Sequence, residues 1–229
     1  MNSIKTRNFN QWDILIGVLV FGSVWGLLEA TLGGFLNMIL FPNKGAIMAG
    51  IGGAIIGIAM VIYRKPLMGV GIGVVAACFK VLNVWIFVPV SYIHIVNPAM
   101  AIIGESVIFS LIAVFFLEKM LKSSLAVSMA GLSTGLLSSV AFVYFALYVT
   151  QSPLLQRLGI SGPAEYIAST GLVHGAFMGI LLALGFVAGK RLAHAVDTLT
   201  FRRPVYIAAS VATVVVCWAV SGLVIASGF

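Results

Sequence analysis

Residues 45–63 read GAIMAGIGGAIIGIAMVIY, nineteen positions without a charge, and Arg64-Lys65 follow at once. As a helix rising about 1.5 Å per residue, this stretch is about 28 Å long. That is close to the roughly 30 Å thickness of a bilayer's hydrocarbon core. Gly45, Ala49, Gly53 and Gly57 recur every fourth position and so share one helical face, along which another backbone can approach closely. The stretch is therefore a membrane-spanning helix with a packing stripe and a basic inner end.

The rest of the chain repeats this pattern. Of 229 residues, 61% are hydrophobic and only 8% are charged. A soluble domain usually carries about 25% charged residues, because its surface faces water. Seven spans can be marked, at about 13–32, 45–63, 66–87, 98–117, 126–149, 167–188 and 204–226. The first is expected to continue to 41 as a broken or re-entrant piece. Everything points to an all-α, polytopic transmembrane bundle forming a single integral membrane domain.

The basic residues then orient it. With the N-terminus inside, Lys5, Arg7, Arg64, Lys65, Lys119, Lys122, Lys190, Arg191, Arg202 and Arg203 fall on the inner side. Lys44 and Arg157 fall outside, and Lys80 lies within a span. By the positive-inside rule, the N-terminus is inside and the C-terminus outside. The formal charge of +7 is explained by this asymmetry. The basic residues come in twos between apolar blocks, with no stripe for nucleic acid.

Cys78 and Cys217 each lie within an apolar block and read as core residues rather than a disulfide. The apolar run after Lys5 and Arg7 is too long for a signal-peptide core, so it is read as a retained span. No Gly-x-Ser-x-Gly, His-Glu-x-x-His, phosphate-binding glycine loop or Cys-x-x-Cys occurs. The chain is accordingly read as a non-enzyme without a cofactor.

The outer segments Val88–Asn97 and Thr150–Ser169 carry apolar residues of their own and are expected to be lids or interfacial helices. Further small-residue stripes include Gly22-x-x-x-Gly26, Gly69/Gly73/Ala77 and Gly171/Gly175/Gly179/Ala183. Each can seat another helix of this chain or one from a partner subunit. Gly22 and Gly26 are the partner-docking candidates. Met48-Ala49-Gly50-Ile51 and Met129-Ala130-Gly131-Leu132 each precede a tyrosine, Tyr63 and Tyr144, by the same interval. A true repeat would make two inverted three-helix halves plus a seventh helix.

Ionisable side chains within spans are costly unless paired or wetted, and so mark function. Glu29 lies about 24 Å above the inner end of its span and Lys80 about 21 Å. Glu105 and His174 each lie about 10 Å below the outer end. Four groups on four helices thus share one layer in the outer half. Trp25, Asn37, Asn83, Trp85 and Asn97 fall at similar depth. Aromatic walls with a few convergent polar groups describe a small-molecule site. The substrate-binding candidates are Glu29, Lys80, Glu105, His174, Trp25, Asn83 and Trp85. A buried ion-pair network that only fixes helix register is the competing explanation.

The segments Gly22-Ser-Val-Trp-Gly26 and Glu29-Ala-Thr-Leu-Gly33, with the outer-layer charges, give an architecture that resembles the substrate-capture (S) components of energy-coupling-factor transporters. The resemblance implies capture of a vitamin-like solute or metal ion from outside. It also implies a transmembrane coupling subunit with two ATPases, in a bacterial or archaeal cell membrane. A seventh span departs from the usual six. Lys80 beside carboxylates favours a zwitterionic or anionic organic solute over a bare metal ion. Two alternatives stand beside this: a stand-alone proton- or cation-coupled carrier or channel, and a structural or haem-bearing subunit of a respiratory complex, for which His94 and His174 lie towards the outer side while His194 sits in the inner loop.

Overall fold

The computed structural model describes residues 9–86 and 92–227, and every regular element among them is helical. The order is α1 (Gln11–Met38), α2 (Lys44–Tyr63), α3 (Met68–Ile86), α4 (Tyr92–Lys122) and α5 (Ser124–Tyr148). Two short helices follow, α6 (Leu154–Leu158) and α7 (Pro163–Tyr166), then a π-helical turn at Ile167–Gly171. The chain closes with α8 (Leu172–Phe201) and α9 (Arg203–Ala226). Among the described residues, six helices are long and apolar enough to cross a membrane, and α3 adds a shorter apolar stretch, Met68–Leu82. The molecule is a polytopic apolar helix bundle of about seven spans.

Three boundaries differ from expectation. α1 is unbroken from Gln11 to Met38 rather than broken or re-entrant after residue 32. Lipid offers no water to an interrupted backbone, and no proline precedes Pro42, so Gly33-Gly34 stay helical. α4 begins at Tyr92 and takes in residues 92–97, expected as loop, with Pro98 inside the helix. Residues 87–91 lie outside the described residues. α8 runs past residue 188 to Phe201, carrying the exposed Lys190 and Arg191 beyond the hydrocarbon layer. The outer segment 150–169 holds α6 and α7, short helices of the kind expected there.

α2 is the central helix, with 14 of its 20 residues buried. Its glycine stripe explains this position: Gly50 and Gly53 sit on Phe177, Leu181 and Met178 of α8, and Gly57 on Leu182 and Phe186. Reciprocally, Gly185 and Gly189 of α8 close on Ala54 and Ile58 of α2. Without a hydrophobic force between helices in lipid, this backbone proximity supplies the dispersion contact that holds them. α5 lies on another side of α8 through Gly131 and Gly135, facing Gly179 and Gly175. α4 bridges α5 to α3, α3 packs along α1, and α1 carries α9 at the periphery.

Gly22 and Gly26 are taken up inside the chain, contrary to their assignment to a partner. A Cβ on Gly22 would lie 2.6 Å from the Val75 Cβ, and one on Gly26 would overlap the Phe79 ring, both on α3. The stripe is buried and offers no free face to a second subunit. The inverted repeat is likewise not seen in the packing. α1 packs extensively on α3, whereas α4 and α8, which would correspond to them, barely meet.

α9 has only four buried residues of 24, so most of its surface faces outward. Val211, Val215, Val216 and Leu223 on α9 join Leu111 and Phe115 of α4 and Ile180 and Leu184 of α8 in an exposed apolar belt. Such a belt would be a liability in water and fits contact with the lipid bilayer. At the inner end, α9 is latched to α1: Asp13 pairs with Arg203, and Tyr206 donates to the Asp13 carbonyl at 3.5 Å. Asp13 also closes a capping box with Asn10, its N–H bonding the Asn10 Oδ1 at 2.8 Å.

The orientation is open to a direct check. In a background with Cys78 and Cys217 replaced by Ala, Gln156→Cys should react with a membrane-impermeant maleimide on intact cells. Ser124→Cys, at the α4–α5 turn beside Lys122, should react only after permeabilisation. The reverse pattern would invert the assignment of inside and outside.

Candidate functional site

α1 and α2 meet at their outer ends through a short turn, with Lys44 at the start of α2 bonded to Asn37 in the last turn of α1. Measured from the basic inner ends, Glu29 stands about 27 Å up α1, Glu105 about 25 Å up α4 and Lys44 about 28 Å up α2. Lys80 stands about 18 Å up α3, and its long side chain makes up the difference. The turn before α2 carries Asn43 at φ 57°. Asparagine tolerates this left-handed conformation, which lets the chain reverse into the bundle just above the layer.

The Lys80 Nζ lies 3.0 Å from the Glu29 Oε2, with side-chain exposures of 16% and 9%. The same ammonium donates to the Glu29 backbone carbonyl at 3.2 Å. Gly33, one turn beyond Glu29, leaves room for that carboxylate: a Cβ there would sit 3.4 Å from Oε2. Lys44 donates to the Asn37 Oδ1 and lies within electrostatic reach of Lys80.

Glu105 lies on α4. It is 8% exposed and within electrostatic reach of Glu29 and of the Tyr166 hydroxyl. Among the described residues its carboxylate has no ion-pair or hydrogen-bond partner, since the two salt bridges there are Lys80–Glu29 and Arg203–Asp13. His174 projects from α8 toward the start of α2. Its Nδ1 lies 2.9 Å from the Thr170 carbonyl in the π turn, and because a carbonyl only accepts, Nδ1 carries the proton. The other nitrogen, Nε2, points at Gly45, 3.1 Å from where a Cβ would be. Glu29 and Glu105 are buried, and Lys80 and His174 are half-buried.

The aromatic candidates divide. Trp25 is 1% exposed and wedged over Gly52 of α2, so it is core packing rather than an open wall. Gly52 has no side chain and leaves the slot the indole fills. Its Nε1 has no partner among the described residues. Asn83 and Trp85 lie on the described backbone of α3, but their side chains, like that of His94, lie outside the described residues. Asn97 accepts from the Thr150 hydroxyl at 2.9 Å and ties α4 to the end of α5.

Lys44 and Tyr166 were not among the expected site residues. Lys44 reads as an ordinary loop charge, and Tyr166 falls at the edge of a span; in the structure Lys44 begins α2 and bonds Asn37 of α1. Among the described residues no three His, Cys, Asp or Glu side chains cluster as metal ligands. His194 is exposed on the inner extension of α8, remote from His174. No family model, curated protein or solved structure matches this chain.

Proposed function

We propose that the protein captures a small organic solute from the outer side of a cell membrane, at the layer formed by Glu29, Lys80, Glu105 and His174. The observation that carries this reading is a set of ionisable side chains on four helices withdrawn from the surface: Lys80 on Glu29 at 3.0 Å, Glu105 within electrostatic reach of Glu29, and the His174 Nε2 against Gly45 at the start of α2. A network serving only helix register would be expected to pair its members, whereas Glu105 is left over.

Solute capture without visible catalytic chemistry is also what the resemblance to S components implies. On that reading, movement of the solute depends on a transmembrane coupling subunit with ATPases. Gly22 and Gly26 do not serve that contact, since α3 covers them. The outward faces of α8 and α9 are the surfaces left for it.

The test is stabilisation of the full chain in nanodiscs by a panel of zwitterionic, cationic and anionic water-soluble metabolites. A ligand at about a hundred times its Kd stabilises by about 2.7 kcal/mol, which a melting curve resolves. A restricted set of panel members should raise the melting temperature saturably. If no member does, or if those that do act equally on Glu29→Gln and Glu105→Gln, the outer layer is not a capture site.

A further inference from the structure

We infer that Glu105 receives the positively charged head, a protonated amine, of the captured solute, an inference that rests on the solute-capture reading above. The charge distribution of the layer carries it. Glu29 and Lys80 neutralise each other at 3.0 Å. Lys44 is bonded to Asn37. What remains is Glu105, an acidic side chain more than nine-tenths buried with no partner among the described residues. The groups within its electrostatic reach are Glu29 and Tyr166, one an anion and the other a hydroxyl that can donate or accept. Among the described residues no cation pairs with Glu105, and a bound solute would supply one.

The chemistry narrows the head group. A buried carboxylate without a partner is costly, and an N⁺–H···O⁻ bond is among the strongest available to it. Divalent ions need several oxygen or nitrogen ligands, and Glu105 belongs to no such cluster among the described residues. An ammonium needs one carboxylate and one or two further acceptors, which the Tyr166 hydroxyl oxygen and the Glu29 carboxylate can provide. The solute's anionic part, if it has one, would lie toward Lys44 and Lys80. This sharpens the expectation drawn from Lys80: with that lysine engaged by Glu29, a purely anionic solute meets no unengaged cation of the pair.

The test uses three probes of one shape and different charge: benzylamine, benzyl alcohol and benzoate. Melting temperatures are taken on the full chain in nanodiscs at constant ionic strength. Benzylamine should stabilise the wild type saturably, while benzyl alcohol and benzoate give flat responses. Glu105→Gln should weaken the benzylamine response by about ten- to a hundredfold, the share of a charged hydrogen bond. If Glu105→Gln folds poorly, the wild-type ranking of the three probes still decides. Benzoate matching or exceeding benzylamine would overturn the inference while leaving the capture site standing. Benzylamine acting equally on Glu105→Gln would move the amine elsewhere and overturn it too. No response to any probe would count against both the inference and the capture reading.

Discussion

Replacing Lys80 with Met is expected to destabilise the protein by about 3–5 kcal/mol, because it strands a carboxylate that folding has removed from water. Glu29 has a side-chain exposure of 9%, and its Oε2 lies 3.0 Å from the Lys80 Nζ. Lys80 also bonds the carbonyl of the same residue at 3.2 Å, so its loss frees two acceptors at once. Glu29→Gln should cost less than Lys80→Met: the glutamine keeps the carbonyl acceptor, and a four-carbon ammonium can bend toward water. The double variant, Glu29→Gln with Lys80→Met, should recover much of the loss, giving a coupling energy of about 1–3 kcal/mol in a double-mutant cycle. Melting in a mild detergent reads the stability. Additive single effects would show that the two charges do not sense each other in the membrane. The same variants separate structure from capture. If the double variant regains stability but binds no panel solute, the pair contributes to the site; if binding returns as well, the pair is a register device alone.

The span count was legible because its physics is one-dimensional. A stretch such as 45–63 has to be helix and has to cross, whatever surrounds it. The basic pairs Arg64-Lys65, Lys190-Arg191 and Arg202-Arg203 mark where the chain turns. Depth was legible for the same reason: a fixed rise per residue puts Glu29, Glu105 and His174 in one layer before any packing is known. Which helix faces which is not written in a periodicity. Almost every side of these helices is apolar, so the hydrophobic pattern does not distinguish a lipid face from a core face. That is why Gly22 and Gly26 read as a docking stripe and proved to seat Val75 and Phe79 of α3. Trp25 read as a pocket wall for the same reason, when its slot is made by the absent side chain of Gly52, 27 positions away. That Lys44 meets Asn37, and that Tyr166 comes within reach of Glu105, depend on contacts between elements that no periodicity records.

Three glycine-to-alanine substitutions should give three different results, and the largest loss is expected at Gly135. All three lie within helices, where alanine is favoured over glycine by about 1 kcal/mol. At Gly104 of α4 an added Cβ meets nothing within 4 Å, so the propensity gain should appear nearly whole as a raised melting temperature. At Gly53 of α2 the new Cβ would lie 2.5 Å from the Met178 Sδ. A thioether near the end of an unbranched side chain can rotate away, so the net change should stay within about 1 kcal/mol. At Gly135 of α5 the Cβ would lie 2.5 Å from both the Cα and the N of Gly175 and 2.8 Å from the carbonyl carbon of His174. These are backbone atoms, with no rotamer to change, and the helices can relieve the overlap only by moving apart. One turn along, the seam is as close, Gly131 meeting the Gly179 Cα at 2.6 Å, so separation at one point loosens its neighbour too. We expect Gly135→Ala to cost at least about 3 kcal/mol, the upper range for overpacking, and Gly135→Leu to prevent assembly of α5 on α8. The effect reaches the candidate site. His174 sits on the backbone that α5 would push, and its Nε2 reaches Gly45 only while α8 keeps its place between α5 and α2. Gly135→Ala should therefore weaken solute binding as well as stability, and Gly53→Ala should change neither by much. Equal melting temperatures for Gly53→Ala and Gly135→Ala would mean that the α5–α8 seam is not backbone against backbone.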